Sequence, residues 1–332
     1  MAIPQAGATA LPDATSVVQT ATLVCMQTAR YRSLKDESIH PITELRSGAW
    51  LHLEEPSDAE LEALAIEQDL DLGHLKDALD PFEVPRFEVE DATVYVFARY
   101  PVKVEDSFET VPFLIVLTES AVITACSRAL GDLKQFVAKT DVYTTQKAKL
   151  LLQLLTWMNQ SYTNDLHAIS KTILTLRKHL HLEDIRNRDI VRFVVLEDTL
   201  QDFLGALEPT AVVLNHLLSG KHVKFFETDK DLVEDLVLNT NQLIELCRGG
   251  ARSIVTIRES YSTIMTNNLN RVIKALTALT IILMVPNLVF SFYGMNVQLP
   301  LGEASNAFEV IAGSVAAVTL ALVALFFRLR WL

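Results

Sequence analysis

Polar side chains recur at helical spacing inside a long uncharged stretch of the sequence. Residues 275–302 contain no Asp, Glu, Lys, Arg or His. Within this stretch and just before it, amide, hydroxyl and small residues follow one another at alternating intervals of three and four positions. Such intervals place side chains on one face of a helix. This polar stripe comprises Asn270, Ile273, Thr277, Thr280, Met284, Asn287, Ser291 and Gly294, with Leu276 beside it.

The polar stripe is chemically suited to a cation that keeps its water shell. Mg²⁺ dehydrates reluctantly and is usually bound through several retained waters. The stripe contains no carboxylate, so its amides, hydroxyls and carbonyls fit the outer surface of a hydrated ion better than a dehydrated one. Met284 and Leu276 can add apolar constrictions that gate by dewetting. A second interpretation stays open, because small and polar residues also hold packed membrane helices together.

Two stretches of the sequence are long and apolar enough to cross a membrane. The hydrocarbon core of a bilayer requires about 20 apolar residues in a helix. Residues 275–302 satisfy this, and residues 310–327 do so with help from Phe308 and Trp331 at their ends. The mean hydropathy of the chain is +0.24, unusual for a soluble protein, although two buried helices of a soluble core are the alternative. The N-terminal residues lack the basic and apolar segments of a signal peptide.

Basic residues flank the two predicted spans on one side only. Arg271 and Lys274 precede the first span, Arg328 and Arg330 follow the second, and the loop between them has no Lys or Arg. The positive-inside rule therefore predicts that both termini lie in the cytoplasm. The predicted location of the chain is the inner (plasma) membrane, as a multi-pass protein. The part before residue 275 carries the whole net charge of −12, which favours cations and opposes nucleic-acid binding.

The first part of the chain is predicted to be an α+β domain. Runs of β-forming residues over residues 17–126 predict five strands, and Asp58–Gln68 and Leu70–Leu79 predict helices on the basis of capping and apolar spacing. The predicted strands are Val17–Met26, Trp50–Leu53, Thr93–Tyr100, Pro112–Leu117 and Ala121–Cys126. Three widely spaced cysteines indicate free thiols in a reducing compartment rather than a disulfide framework.

Beyond residue 145 the apolar pattern changes to a helical period. Long helices are predicted from about Thr145, from Asp184 to Leu218, and from Glu227 without a proline until Pro286. The predicted organisation is a cytoplasmic α+β domain over 1–140, long antiparallel cytoplasmic helices over 141–225, a stalk helix continuing into the first transmembrane helix over 226–292, an external loop over 293–309, a second transmembrane helix over 310–327 and a basic tail over 328–332.

The outer end of the first span carries Tyr293-Gly294-Met295-Asn296, and this closely resembles the signature of CorA-type magnesium transporters, a two-transmembrane GxN metal ion transporter family. The resemblance extends to Leu276-Thr277, to Pro286 ten residues before the signature Asn296, and to the Arg-Leu-Arg-Trp-Leu end of the chain. Trp50-Leu51-His52-Leu53, Leu75-Lys76-Asp77-Ala78-Leu79 and Pro85-Arg86-Phe87-Glu88 look like parts of the family's cytoplasmic domain.

The resemblance implies a homopentameric funnel in the lipid bilayer, with its pore lined by the first membrane helix of each subunit. Gly294, Met295 and Asn296 would form the ion-selective mouth, with Asn296 holding a hydrated ion and Gly294 letting the chain turn. Arg328 and Arg330 would form an inner basic ring. The outer loop differs from the family's frequent Met-Pro-Glu-Leu, because it reads Leu-Pro-Leu-Gly with the acid displaced to Glu303.

The resemblance also implies a regulatory site for intracellular Mg²⁺. It aligns Asp77 and Asp235 with carboxylates that face each other across a subunit interface, and Glu234 could share the role. A divalent cation between them would hold neighbouring subunits together and favour a closed pore. The alternative is that both are ordinary solvated helix acids.

The function predicted from these features is a divalent metal ion channel that takes up Mg²⁺, with Co²⁺ and Ni²⁺ as further candidate ions, and is gated by cytoplasmic Mg²⁺. The alternatives are a Zn²⁺ transporter of the ZntB type and a two-span membrane-anchored scaffold. No phosphate-binding G-x-x-x-x-G-K-[ST] loop is present, which argues against an ATP-driven pump, and no enzyme activity is predicted. His179 and His181 are not expected to bind a metal, because they do not share a helix face.

Overall fold

The computed structural model describes residues 29–43, 45–105, 107–139, 141–179, 187–297, 299–300 and 306–331. The predicted strand Val17–Met26 lies outside the described residues, as do Glu303 and most of the segment around His181. The chain divides into two compact units, Met1–Val255 and Thr256–Leu332. The boundary between them falls within the longest helix of the chain.

The first unit contains a seven-stranded mixed sheet. Its strand order is β2-β1-β3-β7-β6-β5-β4, and neighbouring strands are antiparallel except for the parallel pair β3 and β7. The strands are β1 Ala29–Tyr31, β2 His40–Pro41, β3 Trp50–Glu54, β4 Arg86–Glu90, β5 Thr93–Val104, β6 Ser107–Leu117 and β7 Val122–Cys126.

The sheet confirms the four predicted strands that fall within the described residues. β3 and β7 differ from the prediction by a single residue, whereas β5 and β6 extend into a longer hairpin. Three strands were not predicted. β1 and β2 are too short to show a period, whereas β4 alternates polar and apolar residues and could have been recognised from that pattern.

Two short helices cover one face of the sheet. α1 (Asp58–Gln68) has the predicted bounds, and a capping box between Ser57 and Glu60 fixes its start. α2 (Leu72–Asp77) begins after Asp71, which accepts a hydrogen bond from the His74 amide. The buried side chains on this face form one apolar cluster, which includes Leu51, Leu53, Leu61, Leu64, Leu75, Phe97, Leu114, Val116 and Ile123.

Helices of the middle of the chain cover the opposite face. They are α3 (Leu133–Val137), α4 (Lys147–His179), α5 (Asn187–Leu218) and the first part of α6 (Glu227–Tyr293). Their core with the sheet includes Trp50, Val96, Phe113, Ile115, Leu151, Leu154, Leu214, Val233 and Leu236. Because the sheet is buried on both faces, β6 and β7 read as continuous apolar runs instead of alternating ones.

The long helices agree with the predicted helical period. α6 is a single helix of 67 residues that begins at the predicted Glu227 and continues through Pro286. Within the first unit, Asn159 of α4 donates a buried hydrogen bond to Thr240 of α6 at 3.0 Å. Gly250 allows α5 to approach closely, because an added Cβ there would lie 3.0 Å from Leu200 Cδ1.

The second unit consists of the rest of α6 and of α7 (Ala307–Arg328). Both helices are long and apolar enough to span a membrane. Only 11% of the most apolar window of each helix is buried. Two buried helices of a soluble core would show the opposite, so this alternative is not supported.

Candidate functional site

The polar stripe of α6 is uncovered in the single chain. All eight of its positions between Asn270 and Gly294 are exposed, and so is the adjacent Leu276. Exposure reaches 63% for Leu276 and 60% for Met284. Large apolar side chains that are this exposed indicate a surface that is covered by lipid or by other copies of the chain, or that faces a pore.

The face of α6 opposite the polar stripe packs inside the second unit. Ala278 is fully buried, and Ala275, Ile282, Val285 and Val289 are half-buried at intervals of three and four residues around it. At 3.6 residues per turn this stripe lies on nearly the other side of the helix. Leu279 is 50% exposed, whereas Ile282 and Val289 are half-buried on the face around Ala278.

α7 presents a matching face. Val315 and Phe326 are its buried side chains, and Ile311, Thr319 and Leu322 are half-buried on the same side. Each helix of the second unit thus has one side that is less exposed than the rest. On α6 the polar stripe lies on the other, exposed side.

Two threonines of the polar stripe direct their hydroxyl hydrogens back into the helix. Thr277 donates to the Ile273 carbonyl and Thr280 to the Leu276 carbonyl, both at 2.8 Å. Each hydroxyl oxygen keeps free lone pairs after this bond. The stripe therefore presents acceptors rather than donors at these two positions.

The signature segment follows directly on the end of α6. The Gly294 amide donates to the Phe290 carbonyl at 3.0 Å, and the Tyr293 hydroxyl donates to the Pro300 carbonyl at 3.2 Å. Gly294, Met295 and Asn296 are exposed.

Gly294 does not turn the chain through a left-handed conformation. Among the described residues only Gly48 and Gly220 are glycines with positive φ. An added Cβ at Gly294 would lie 3.3 Å from the Phe290 carbonyl oxygen. Gly294 thus lies in the turn that follows α6, with a backbone that other residues can adopt, and a side chain there would be crowded against the Phe290 carbonyl.

The basic end of the chain is fixed to the last turn of α7. Arg330 has a φ of 57°, and the Trp331 amide donates to the Phe326 carbonyl at 3.0 Å. The Trp331 and Phe326 rings stack with centroids 5.6 Å apart. These features make a Schellman motif with its apolar contact. Arg328 and Arg330 are exposed beside it.

Asp77 lies at the end of α2 and is already paired within the chain. Its Oδ2 accepts a hydrogen bond from Arg86 Nη2 at 2.7 Å. Arg86 also pairs with Glu83, and its Nε donates to Glu88 at 2.8 Å. His74 Nδ1 is 4.0 Å from Asp77 Oδ2, which is beyond hydrogen-bond distance.

Asp235 lies on the exposed side of α6, next to the buried Leu236. The contacts of Asp77 within the chain are with Arg86 and His74, and Asp235 is not among them. In the part of the chain that the structure describes, no group of three His, Cys, Asp or Glu residues is arranged to hold a metal ion.

Two residues of the Trp50-Leu51-His52-Leu53 segment form a buried polar cluster with Thr124. The sequence did not predict this cluster. Trp50 Nε1 donates to Thr124 Oγ1 at 2.9 Å, and His52 Nδ1 lies 2.7 Å from the same oxygen. Burial lowers the pKa of His52, although Glu54 partly opposes the effect. This group joins the parallel strands β3 and β7, so its role is structural.

Comparison with known proteins identifies the family. Residues 46–328 match the family described as CorA-like Mg²⁺ transporter protein. The chain belongs to the CorA family. This family consists of transporters rather than enzymes, and together with the two apolar helices it makes the chain a membrane protein.

Members and structural relatives cover most of the chain. The curated cobalt/magnesium transport protein CorA of Methanocaldococcus jannaschii is 25% identical over 291 residues, which span 85% of this chain and 91% of that protein. The complete structure of the CorA magnesium transporter from the same organism superposes with a TM-score of 0.78 at 22% identity, covering 92% of this chain and 98% of the other.

The cytoplasmic domain of ZntB from Vibrio parahaemolyticus has a related fold. It superposes with a TM-score of 0.57 at 12% identity, covering 72% of this chain and 97% of the other. These comparisons confirm the CorA-like fold, with a soluble domain of helices and strands, long helices and two C-terminal apolar helices.

Proposed function

We propose that the chain mediates Mg²⁺ uptake as a divalent metal ion channel in which the polar stripe of α6 lines the pore. The observation that carries the proposal is the exposed polar stripe, which lies opposite the more buried face of α6. A helix that served only as an anchor would need no polar face towards either protein or lipid. Polar groups in hydrocarbon are costly and usually face protein or a water-filled path.

The chemistry of the stripe supports a hydrated ion as the species that moves. Water molecules bound to a cation turn their hydrogens outward, so the surface around a hydrated ion must accept hydrogen bonds. Thr277 and Thr280 present free lone pairs because their own hydrogens are used within the helix. Asn270 and Asn287 add amide oxygens. No carboxylate is present on the stripe to bind the ion tightly and slow its release.

The proposed channel is a homopentamer, with one polar stripe from each subunit around a common axis. Gly294, Met295 and Asn296 form its outer mouth, where the Asn296 amide oxygens hold the water shell of the entering ion. Arg328 and Arg330 form a ring at the cytoplasmic end of α7. Both termini lie in the cytoplasm, in agreement with the distribution of basic residues around the spans.

Regulation in this proposal depends on Asp77 and Asp235 of neighbouring subunits. A cytoplasmic divalent cation between the two carboxylates removes their repulsion and stabilises the symmetric closed pore. Asp235 is exposed and the Asp77 side chain is 39% exposed, so an adjacent copy can reach both, although Arg86 already pairs with Asp77. Because few ligands and several retained waters give weak binding, the ion closes the channel only at high cytoplasmic concentration.

Flux into proteoliposomes tests the proposal. The purified full-length chain should take up Mg²⁺ down its gradient without ATP, and externally added Co²⁺ and Ni²⁺ should compete. Asn296→Ala should abolish uptake while the oligomer keeps its size on a sizing column. Uptake by this variant at the parent rate would refute the role of Asn296. Uptake of Zn²⁺ coupled to a proton gradient, with no Mg²⁺ flux, would instead indicate the ZntB type of transport.

A further inference from the structure

A single guanidinium group joins three carboxylates near the end of α2. Arg86 Nη2 donates to Asp77 at 2.7 Å, and Arg86 Nε donates to Glu88 at 2.8 Å. Arg86 Nη1 pairs with Glu83. Each of the three nitrogens therefore has its own carboxylate, and one positive charge faces three negative charges.

The position of Arg86 is fixed by the sheet. Arg86 begins β4 and lies opposite Phe97 of β5 in the strand register. Its guanidinium carbon lies 3.8 Å from the centroid of the Phe97 ring, and Phe97 is buried. The Arg86 side chain is 30% exposed and that of Glu83 13%. This partial burial, the ring contact and the three ion pairs, two of them hydrogen-bonded, make the arrangement stronger than an isolated surface ion pair.

We propose that Arg86 is a built-in competitor for the divalent cation at Asp77. The inference rests on the proposed regulatory role of Asp77. Arginine stays protonated throughout the physiological pH range, so Asp77 always has a counter-ion when no metal is bound. An incoming divalent cation must either displace Arg86 from Asp77 or lie close to it, and like charges repel. Both effects raise the ion concentration that closes the channel.

Arg86 also accounts for the absence of a complete metal site in one chain. Asp77, Glu83 and Glu88 are directed at three separate nitrogens instead of a single point. Within the described residues no three acidic, His or Cys side chains are arranged to hold a metal. A cation then gains enough ligands only when a neighbouring subunit contributes Asp235. Ion binding is thereby coupled to subunit contact.

The test is the internal Mg²⁺ concentration that half-inhibits flux through the full-length oligomer in proteoliposomes. Arg86→Gln should lower this concentration by about fivefold, because one partly exposed ion pair to Asp77 no longer competes. Arg128→Gln is the matched control. It removes one positive charge from the same unit, where Arg128 pairs with Glu109 at 3.5 Å, and it should leave the half-inhibitory concentration unchanged.

Arg86→Lys keeps the experiment decisive if Arg86→Gln does not assemble. A lysine retains the charge, but a single nitrogen cannot reproduce the planar three-way contact. We expect the half-inhibitory concentration to fall by about twofold in this variant, because its pair with Asp77 is weaker. An unchanged or raised value in an assembled Arg86 variant would overturn the inference, since Arg86 would then be neutral or would orient Asp77 for the ion.

Asp77→Asn separates the two proposals. If this variant escapes inhibition while Arg86→Gln keeps the parent threshold, Asp77 is a sensor and the competition with Arg86 is wrong. If Asp77→Asn is inhibited as strongly as the parent, the proposed sensor fails and the inference fails with it. A lowered threshold in Arg86→Gln that disappears in the double variant Asp77→Asn, Arg86→Gln would support both.

Discussion

Thr280 and Thr319 make the same local hydrogen bond in two different surroundings. Thr280 donates to the carbonyl four residues before it and lies on the exposed polar stripe of α6. Thr319 makes the corresponding bond at 2.8 Å on α7, where it is half-buried. The two residues therefore form a matched pair for testing the proposed pore, because they make the same bond and differ in exposure.

Thr280→Val should reduce Mg²⁺ uptake by about tenfold. The change removes one hydrogen-bond acceptor from every subunit, and a loss of about 1.4 kcal/mol at the barrier is enough for this reduction. Thr319→Val is the matched control and should transport at nearly the parent rate. The measurement is the initial rate of Mg²⁺ entry into proteoliposomes at equal protein density. Equal rates for the two variants would contradict a pore-lining role for Thr280.

Asp165 gives a prediction on pH and stability. Burial, with the nearby charge of Asp132 as the second cause, raises the pKa of Asp165 to about 6, while Lys103 opposes the shift. The folded chain thus keeps a proton between about pH 4 and pH 6 that the unfolded chain has lost. The stability from this group is complete at low pH and is lost as the pH rises towards 6.

Asp165→Asn should therefore raise the free energy of unfolding at pH 7 by about 1 kcal/mol, a value reduced for partial exposure, and should change it little at pH 4. Thermal unfolding of the full-length chain in detergent at the two pH values measures the difference. The exposed α1 residue Glu67 provides the control, and Glu67→Gln should show no such pH dependence. If Asp165→Asn increased the free energy of unfolding as much at pH 4 as at pH 7, the raised pKa of Asp165 would be contradicted.

At the scale of elements, α6 has two faces with different tasks. The stripe around Ala278 packs within the second unit, and the polar stripe on the other side is uncovered. The stripe around Ala278 and the polar stripe are about half a helical turn apart. If one of them faces protein, the other must therefore face away from it. The chemical accessibility of α6 should therefore alternate with the helical period.

Cysteine substitutions from Asn270 to Ser291 should react with water-soluble thiol reagents at intervals of three to four residues. Positions on the polar stripe should react, whereas positions 278 and 285 should not. The experiment uses a Cys25→Ser background, because Cys25 lies outside the described residues. The native Cys126 and Cys247 are buried, and burial raises the pKa of each to about 12. Labelling without a helical period, measured by mass shift, would refute a continuous water-filled stripe.

At the scale of the whole molecule, charge and hydropathy are separated along the chain. The acidic part precedes residue 275, and the apolar helices follow it. The acidic part attracts divalent cations, and the apolar helices anchor the chain in the membrane. The proposed channel needs a brake on inward flux, and the proposed brake is the cation bound between Asp77 and Asp235 of adjacent subunits.

The double variant Asp77→Asn, Asp235→Asn should keep conducting when millimolar internal Mg²⁺ is applied. Both carboxylates lose their charge, so the cation no longer stabilises the closed arrangement. Current recordings with internal Mg²⁺ titration measure the effect. Glu208→Gln, which removes an acid that pairs with Arg248 elsewhere in the same unit, should behave as the parent. Inhibition of the double variant at the parent concentration would place the sensor elsewhere.

The sequence by itself determined the features that depend on neighbours within one or two helical turns. The bounds of α1, the start of α6 and the two apolar spans follow from capping, period and hydropathy. The polar stripe follows from spacing alone, and the signature around Asn296 led to the family. Local patterns are sufficient here, because helix faces and span lengths are properties of a short segment.

Only the tertiary structure decided which distant residues meet. It showed that the polar stripe of α6 is exposed in the single chain, and it paired Asp77 with Arg86 across the end of α2 and the edge strand β4. It also showed that Gly294 has no left-handed backbone. Such contacts arise when separate elements pack against one another, and their partners are set by the geometry of that packing rather than by the order of residues along the chain.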